Sequence, residues 1–242
     1  MRLAIGIPRS NTLLAALSLS TYQRLHAASK PFALIRDEIL CEANEAIRHV
    51  YFPTDSLISL QVPGKGHLAL EVAVVGAEGL FGVALALGER ISAVRATVRS
   101  AGNAMRMAAE DFRRELKRSP SLRRAMYRHA YSLVAQLAES AACHRFHVVE
   151  ARLARWLLMT RDLLRTDEFH MTQESLAGIL GVRRVGITMA AGALRQRQLI
   201  AYRRGKITIL DRKGLRAAAC PCYQIINHGE DAGQICALRG SK

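Results

Sequence analysis

The chain has 242 residues, a length that suits two modest domains better than one. Half of the residues are apolar and 23% are charged, a globular balance that excludes disordered, collagen-like and low-complexity classes. Lys and Arg number 35 against 20 Asp and Glu, and the net charge of +15 points to a polyanionic partner, nucleic acid ahead of an anionic membrane surface.

No apolar run reaches the roughly 18 residues of a membrane span. The N-terminal run Met1–Ile7 is ended by Pro8 and Arg9, too short for a secretory signal. Residues 11–28 read as one short amphipathic helix, capped by Asn11 and apolar through Leu13, Leu14, Leu17 and Leu25. From about residue 31 to 108 the pattern changes. The β-type runs Ala46–Phe52, Leu57–Val62, Leu68–Val75, Ala93–Val98 and Asn103–Met107 alternate with turn residues at Pro53, Pro63-Gly64-Lys65-Gly66, Gly76, Gly79 and Gly88. Short, regularly punctuated strands predict an antiparallel barrel or roll over residues 1–118.

Ser119 and Pro120 mark the start of a helix, as N-cap and first helical residue. Leu122, Met126, Ala130, Leu133, Leu137, Ala141, His144 and Val148 recur at helical spacing, so the spacing predicts a long helix over 119–148. A narrow stripe on so long a helix predicts pairing with a second copy across a two-fold axis. Val149, Leu153, Trp156, Leu157 and Leu164 give the inward face of the next helix, and Thr166-Asp167-Glu168 reads as a loop.

The region 149–225 carries the strongest functional signal, with a tail expected over 226–242. Thr172 caps a short helix through Leu180, Gly181 closes it in the left-handed conformation, and Val182-Arg183-Arg184 opens a second helix to about Gln198. Two short helices joined at a glycine are the helix-turn-helix unit. Leu199–Tyr202 and Lys206–Leu210 read as strands of a basic wing turning at Arg203-Arg204-Gly205. Residues 1–118 carry 15 basic and 11 acidic side chains and residues 119–242 carry 20 and 9; within 183–216 ten bases face one acid, Asp211. These features predict base contacts by Arg183, Arg184 and Thr188, and phosphate contacts by Thr172, Arg195, Arg203, Arg204 and Lys206.

The order of parts resembles the Crp/Fnr family of bacterial transcription regulators: a cyclic-nucleotide-binding-like β-roll, a long dimerisation helix and a winged helix-turn-helix, an α+β architecture. The strings Ile47–Pro53, Val75–Gly79, Glu150–Leu158 and Leu180–Arg184 carry the resemblance, toward a branch without a typical cyclic-nucleotide phosphate site. It implies a cytoplasmic homodimer on a two-fold-symmetric double-stranded DNA operator, with RNA polymerase a further partner if it activates. It also implies a small-molecule effector near the roll–helix junction, with Gly76, Glu78, Gly79, Ser92 and Ala93 as effector-pocket candidates. Where cyclic-nucleotide binders carry an arginine before Ser-Ala, this chain has Ile91, so cyclic nucleotide is not expected and no other cofactor is predicted. The family's recognition helix frequently has Arg-Glu followed by a further Arg. Here the corresponding residues are Arg184, Val185 and Met189, and only Arg184 carries over. The alternative left open is a ligand-sensing or protein-interaction module with vestigial DNA binding.

Five cysteines, Cys41, Cys143, Cys220, Cys222 and Cys236, are scattered and odd in number, which fits reduced thiols. Only Cys41 precedes residue 143, so an N-terminal four-thiolate iron–sulfur site is excluded. Cys143-His144 with His147, and Cys220-Pro221-Cys222 with His228 and Cys236, are two separate thiol and imidazole groups. His144 and His147, one turn apart, could share a ligand, whereas Cys220 and Cys222 are closer than the two-to-four-residue zinc spacing; no metal is predicted at either group, and a redox or metal role for each stays open. Glu38, Glu42 and Glu45 read as a solvated acidic face, and no catalytic motif is present, so an enzyme is not expected.

Overall fold

A computed structural model describes residues 11–64, 69–164 and 166–223. The N-terminal run Met1–Ile7, the turn residues Lys65 and Gly66, Leu68 at the start of a predicted strand, and the tail with His228 and Cys236 lie outside the described residues. Two compact units emerge, one from residues up to Ser59 together with Val74–Ala130, the other from Leu60–Ala73 together with residues from Tyr131 onward.

The first unit opens with two helices in place of the single one expected, α1 (Thr12–Ala15) and α2 (Leu19–Ala28). Asn11 caps α1 as predicted, its side chain accepting from the Leu14 N–H at 3.0 Å, and Leu13, Leu14, Leu17 and Leu25 are buried. The strands that follow are β1 (Ser29–Leu34), β2 (Ile39–Cys41), β3 (His49–Pro53), β4 (Leu57–Pro63), β5 (Ala69–Val75), β6 (Arg95–Ser100) and β7 (Gly102–Ala108). They form sheets of order β1-β7-β3 and β2-β6-β4-β5, with β7 antiparallel to both of its neighbours. In β3, Val50, Tyr51, Phe52 and Pro53 are all buried, so the strand is an unbroken apolar run without alternation.

Three elements of this unit escape the sequence pattern. Strand β1 contains Lys30 and Pro31 and lies at a sheet edge, where a residue without an N–H is tolerated. Strand β2 is three residues long and its register shifts between Ile39 and Cys41. Helix α3 (Ala109–Arg118) is highly charged, but Phe112 and Leu116, one turn apart, are buried, and Phe112 meets Phe52 edge-on at 6.2 Å. Its first turn holds Glu110 and Asp111 and its last Lys117 and Arg118, the charge order that complements a helix dipole.

Helix α4 spans Pro120–Phe146, and the Ser119 hydroxyl accepts from the Leu122 N–H at 3.2 Å, as an N-cap should. The predicted apolar stripe does not behave as a single face. Leu122, Met126 and Leu133 are buried within the chain, whereas Leu137 and Ala141 are exposed. A different row, Tyr127, Tyr131, Val134, Ala138 and Ala141, faces outward, one residue beyond the predicted stripe at every position but Ala141. Tyr127, Tyr131 and Val134 are 53%, 54% and 60% exposed.

In the second unit, α5 (Val149–Leu164), α6 (Gln173–Leu180), α7 (Arg184–Gln196) and α8 (Arg212–Ala218) surround one core. Leu153, Leu157, Leu176, Ile187, Leu194, Ile207 and Leu215 are buried in it, and Trp156 packs edge-on to Phe169 with ring centroids 6.2 Å apart. Each such aliphatic side chain contributes about 1.5–3 kcal/mol by burial. A small sheet of order β8-β10-β9 completes the unit: β8 (Glu168–His170), β9 (Ile200–Arg203) and β10 (Lys206–Ile209). The predicted loop 166–168 thus ends one residue early, because Glu168 begins a strand paired with β10.

Candidate nucleic-acid interface

The helix-turn-helix is built by caps and one glycine. The Thr172 side chain accepts from the Ser175 N–H at 3.0 Å and starts α6. Gly181 ends α6 at φ 60, ψ 42, where a side chain would be strained, and its N–H reaches back to the Ala177 and Gly178 carbonyls. The chain then re-enters helix at Arg184, so α6 and α7 are bent by 106° from one another. Arg183 is the N-cap, extended at φ -70, ψ 147, rather than a first-turn residue as the sequence suggested.

The inner face of α7 is Ile187, Ala190, Ala191 and Leu194, all buried. The opposite face holds Arg184, Val185, Thr188, Met189 and Arg195, all exposed. Behind it the wing turns on Arg204 (φ 51) and Gly205 (φ 79), two successive left-handed residues that form the tight hairpin joining β9 to β10. The Met171 N–H donates to the Gly205 carbonyl at 2.7 Å, and the Tyr202 hydroxyl donates to the Met171 carbonyl at 2.8 Å. These bonds fix the wing against the start of the helix-turn-helix.

An open groove of ≈ 580 Å³ runs between the helices and the wing, and Thr172, Arg184, Thr188, Arg195 and Arg204 line it together with Gln173, Glu174 and Tyr202. Of the eight sequence-selected residues, Arg183, Arg203 and Lys206 are not in its lining, though all three are exposed. Arg183, Arg184, Arg195, Arg203 and Arg204 make no ion pair among the described residues. Lys206 does, with its ammonium 2.8 Å from the Glu168 carboxylate. That bond is the main reason the Glu168 carboxyl is held below its ordinary pKa. The Thr188 hydroxyl lies 2.9 Å from Gln173 Oε1 and 3.2 Å from the Arg184 carbonyl. Two further residues of this face, Val185 and Met189, are 62% and 72% exposed and were not among the predicted contacts. The available signal was position: both fall on the face opposite Ile187 and Ala191, where apolar residues have no core to join.

Of the effector-pocket candidates, Gly76, Glu78 and Gly79 sit in a turn closed by its own chain, and Ser92 and Ala93 lie in a separate segment before β6. Glu78 accepts from the Gly76 N–H at 2.8 Å. Asn11 Nδ2 donates to the Gly79 carbonyl at 2.8 Å and to the Pro53 carbonyl at 2.9 Å. The imidazole of His129, on α4, reaches the Leu80 backbone at 3.1 Å, and a Cβ on Gly79 would stand 2.3 Å from its Cε1. Ser92 is buried and its hydroxyl donates to the Val94 carbonyl at 2.7 Å, while neighbouring Ala93 and Ile91 are exposed. Arg95, the nearby guanidinium, is taken by Glu42 at 2.7 Å. Leu80, Phe81 and Leu85 are buried, so the apolar segment after the turn fills core.

His129 makes this turn pH-sensitive. Burial lowers its pKa, only partly offset by the Leu80 bond, and burial is also the first cause of lowering at His49 and His144. A group with a folded pKa below its unfolded value stabilises the fold fully above the unfolded pKa. That stability is lost as pH falls through the folded pKa. Melting temperature is therefore expected to fall as pH drops below about 6.5, and His129→Gln is expected to flatten that decline. One pH unit of depression corresponds to about 1.4 kcal/mol, or about 3–6 °C in a chain of this size. Thermal scans of both proteins across this range check it.

The comparisons with known proteins agree with this geometry. Residues 151–218 match the model of the Crp-like helix-turn-helix domain. No curated protein matches in sequence. A crp/fnr-family transcriptional regulator from Eubacterium rectale superposes at TM-score 0.70 and 16% identity, covering 86% of this chain and 98% of that one. FixK2 from Bradyrhizobium japonicum superposes at TM-score 0.67 and 12% identity, over 79% of this chain and 98% of its own. A CRP/FNR-family regulator of Thermus thermophilus gives 0.66 and 19%, over 78% and 98%. Fold and site define a winged helix-turn-helix protein with an antiparallel-sheet N-terminal domain and a long helix. Residues 151–218 are a Crp-like helix-turn-helix domain, and the chain as a whole shares the fold of Crp/Fnr-family regulators. Among the described residues no single helix is long and apolar enough to cross a membrane.

Proposed function

We propose that the protein is a homodimeric, sequence-specific transcription regulator, not an enzyme, that binds a two-fold-symmetric double-stranded DNA operator in the cytoplasm. The observation that carries this reading is the outward face of α7. Arg184, Thr188 and Arg195 stand there beside a basic wing, with no carboxylate partner for the arginines among the described residues. In such a unit the N-terminal part of the second helix enters the major groove. Arg183, Arg184 and Thr188 then face bases, while Thr172, Arg195, Arg203, Arg204 and Lys206 approach phosphates. The Thr172 hydroxyl already caps α6, so the cap and the phosphate share it. Val185 and Met189 suit the thymine methyl, the apolar feature of the groove.

The outward row on α4 supports dimerisation, and two recognition helices then meet half-sites about one helical turn apart. RNA polymerase joins as a partner if the regulator activates. An effector acting at the roll would shift the population between two dimer arrangements. Cyclic nucleotide is a poor candidate for it: Ile91 stands where a phosphate needs a cation, and Glu78 and Ser92 are satisfied by their own backbone.

Salt dependence tests the reading. Affinity for a duplex should fall steeply with salt. Arg203→Ala and Arg204→Asn should each weaken binding to every sequence and flatten the log–log salt slope by about one. Asn is chosen at 204 because it tolerates the left-handed turn. Binding that is weak and indifferent to salt would favour the sensing module with vestigial DNA binding.

A further inference from the structure

Away from the DNA-facing surface, four sulfur and nitrogen side chains converge at the end of α4. Cys143 and His147 are one helical turn apart, the spacing that puts two side chains on one face. Cys220 and Cys222 come from the turn after α8, where the Cys220 N–H donates to the Ala151 carbonyl at 3.3 Å and the Tyr223 N–H to the Cys220 carbonyl at 3.1 Å. The Cys143 and Cys220 sulfurs are 3.5 Å apart, and the Cys222 sulfur is 3.6 Å from His147 Nδ1. All four ligand atoms lie within 4.8 Å of one another, and the three thiols are buried. The sequence had suggested two groups, and the fold merges them. His144 is not one of the four, its Nδ1 lying 2.5 Å from the Ser140 carbonyl.

Tetrahedral zinc holds sulfur at ≈ 2.3 Å and nitrogen at ≈ 2.0–2.1 Å, which sets neighbouring ligand atoms about 3.5–3.8 Å apart. The Cys143–Cys220 and Cys222–His147 pairs already match, and no pair needs to close by more than about 1 Å. A second observation is independent of this spacing. Arg155 is 6% exposed, and its Nε and Nη1 are buried without a hydrogen-bond partner. It interacts electrostatically with Cys143, Cys220 and Cys222. A buried guanidinium requires an anionic neighbour. Three thiolates and a neutral imidazole on a divalent cation carry a net charge of minus one, which gives the guanidinium an anionic neighbour.

We propose that Cys143, His147, Cys220 and Cys222 form a Cys3His site for a zinc ion, with Arg155 offsetting the charge of the complex. Binding displaces the three thiol protons to solvent with no change of oxidation state, so affinity falls with falling pH. The ion would tie the segment after α8 to the joint at His147, between the end of α4 and the start of α5. The sulfurs at 3.5 Å are well beyond the ≈ 2.05 Å of a disulfide, which is the competing chemistry.

The full chain, purified under reducing conditions, is expected to hold about one zinc per protomer by elemental analysis. After removal of the metal, cobalt(II) should produce sulfur-to-cobalt charge-transfer absorption and the intense visible bands of tetrahedral cobalt. Cys143→Ser and Cys222→Ser should lose both signals, and Cys41→Ser, in the first unit, should keep them. Because a serine variant can misfold, His147→Cys serves as the second variant: it supplies four thiolates and should retain the metal with a shifted cobalt spectrum. The proposal is overturned if the folded, reduced wild-type protein shows no zinc and no cobalt–thiolate band. It is equally overturned if the metal survives in the Cys143→Ser/Cys222→Ser double variant, or if the isolated protein carries a Cys143–Cys220 disulfide and no metal.

Discussion

Val134→Glu is expected to turn the protein into a monomer and to weaken operator binding by about 10²–10⁴-fold, the advantage two linked sites hold over one. The outward row Tyr127, Tyr131, Val134, Ala138 and Ala141 steps by four, three, four and three residues, the repeat of a two-helix seam. Val134, 60% exposed, lies at its middle. Large apolar side chains aligned on one helix face call for a cover, and a second copy supplies one of the same shape. In a symmetric seam the substitution brings two carboxylates toward the same axis, so repulsion adds to the lost contact. Sedimentation of the variant, with duplex titration at fixed salt, checks both halves. A variant that stays dimeric would remove this row from the interface.

The helix-turn-helix was legible because its signals are local. Thr172, Gly181 and the spacing of Ile187, Ala191 and Leu194 each act within a few residues, and the structure places all of them in those roles. The β-roll was legible in type and less so in detail. Pro31 hides β1 from a propensity reading, and the charges of α3 mask the pair Phe112 and Leu116. The predicted stripe on α4 was only partly the outward face, for a physical reason. Both faces of that helix carry apolar residues, and only tertiary structure shows that Leu122, Met126 and Leu133 are used internally. The thiol cluster was out of reach altogether. Cys143 and Cys220 are separated by 77 positions, and spacing rules applied to each group alone cannot join them.

Arg184→Ala is expected to cost about 1–3 kcal/mol on the true operator, about 5–150-fold in affinity, and little on unrelated duplex. Arg184 is the first residue of α7, exposed and without an ion pair among the described residues, and it lines the groove with Thr188 one turn further on. A guanidinium there can donate two parallel bonds to guanine O6 and N7. Arg184→Lys separates this role from simple phosphate contact. Lysine keeps the charge but loses the planar fork, so a base-reading arginine is only partly rescued, whereas a phosphate-binding one is largely restored. Val185 and Met189 flank the same position on the free face, so their replacement by Ala should alter the preference at neighbouring A·T pairs while leaving the salt slope unchanged. Equal losses on operator and random DNA for Arg184→Ala would move Arg184 to the backbone-contacting set and leave sequence reading to Arg183, Thr188 and the apolar pair.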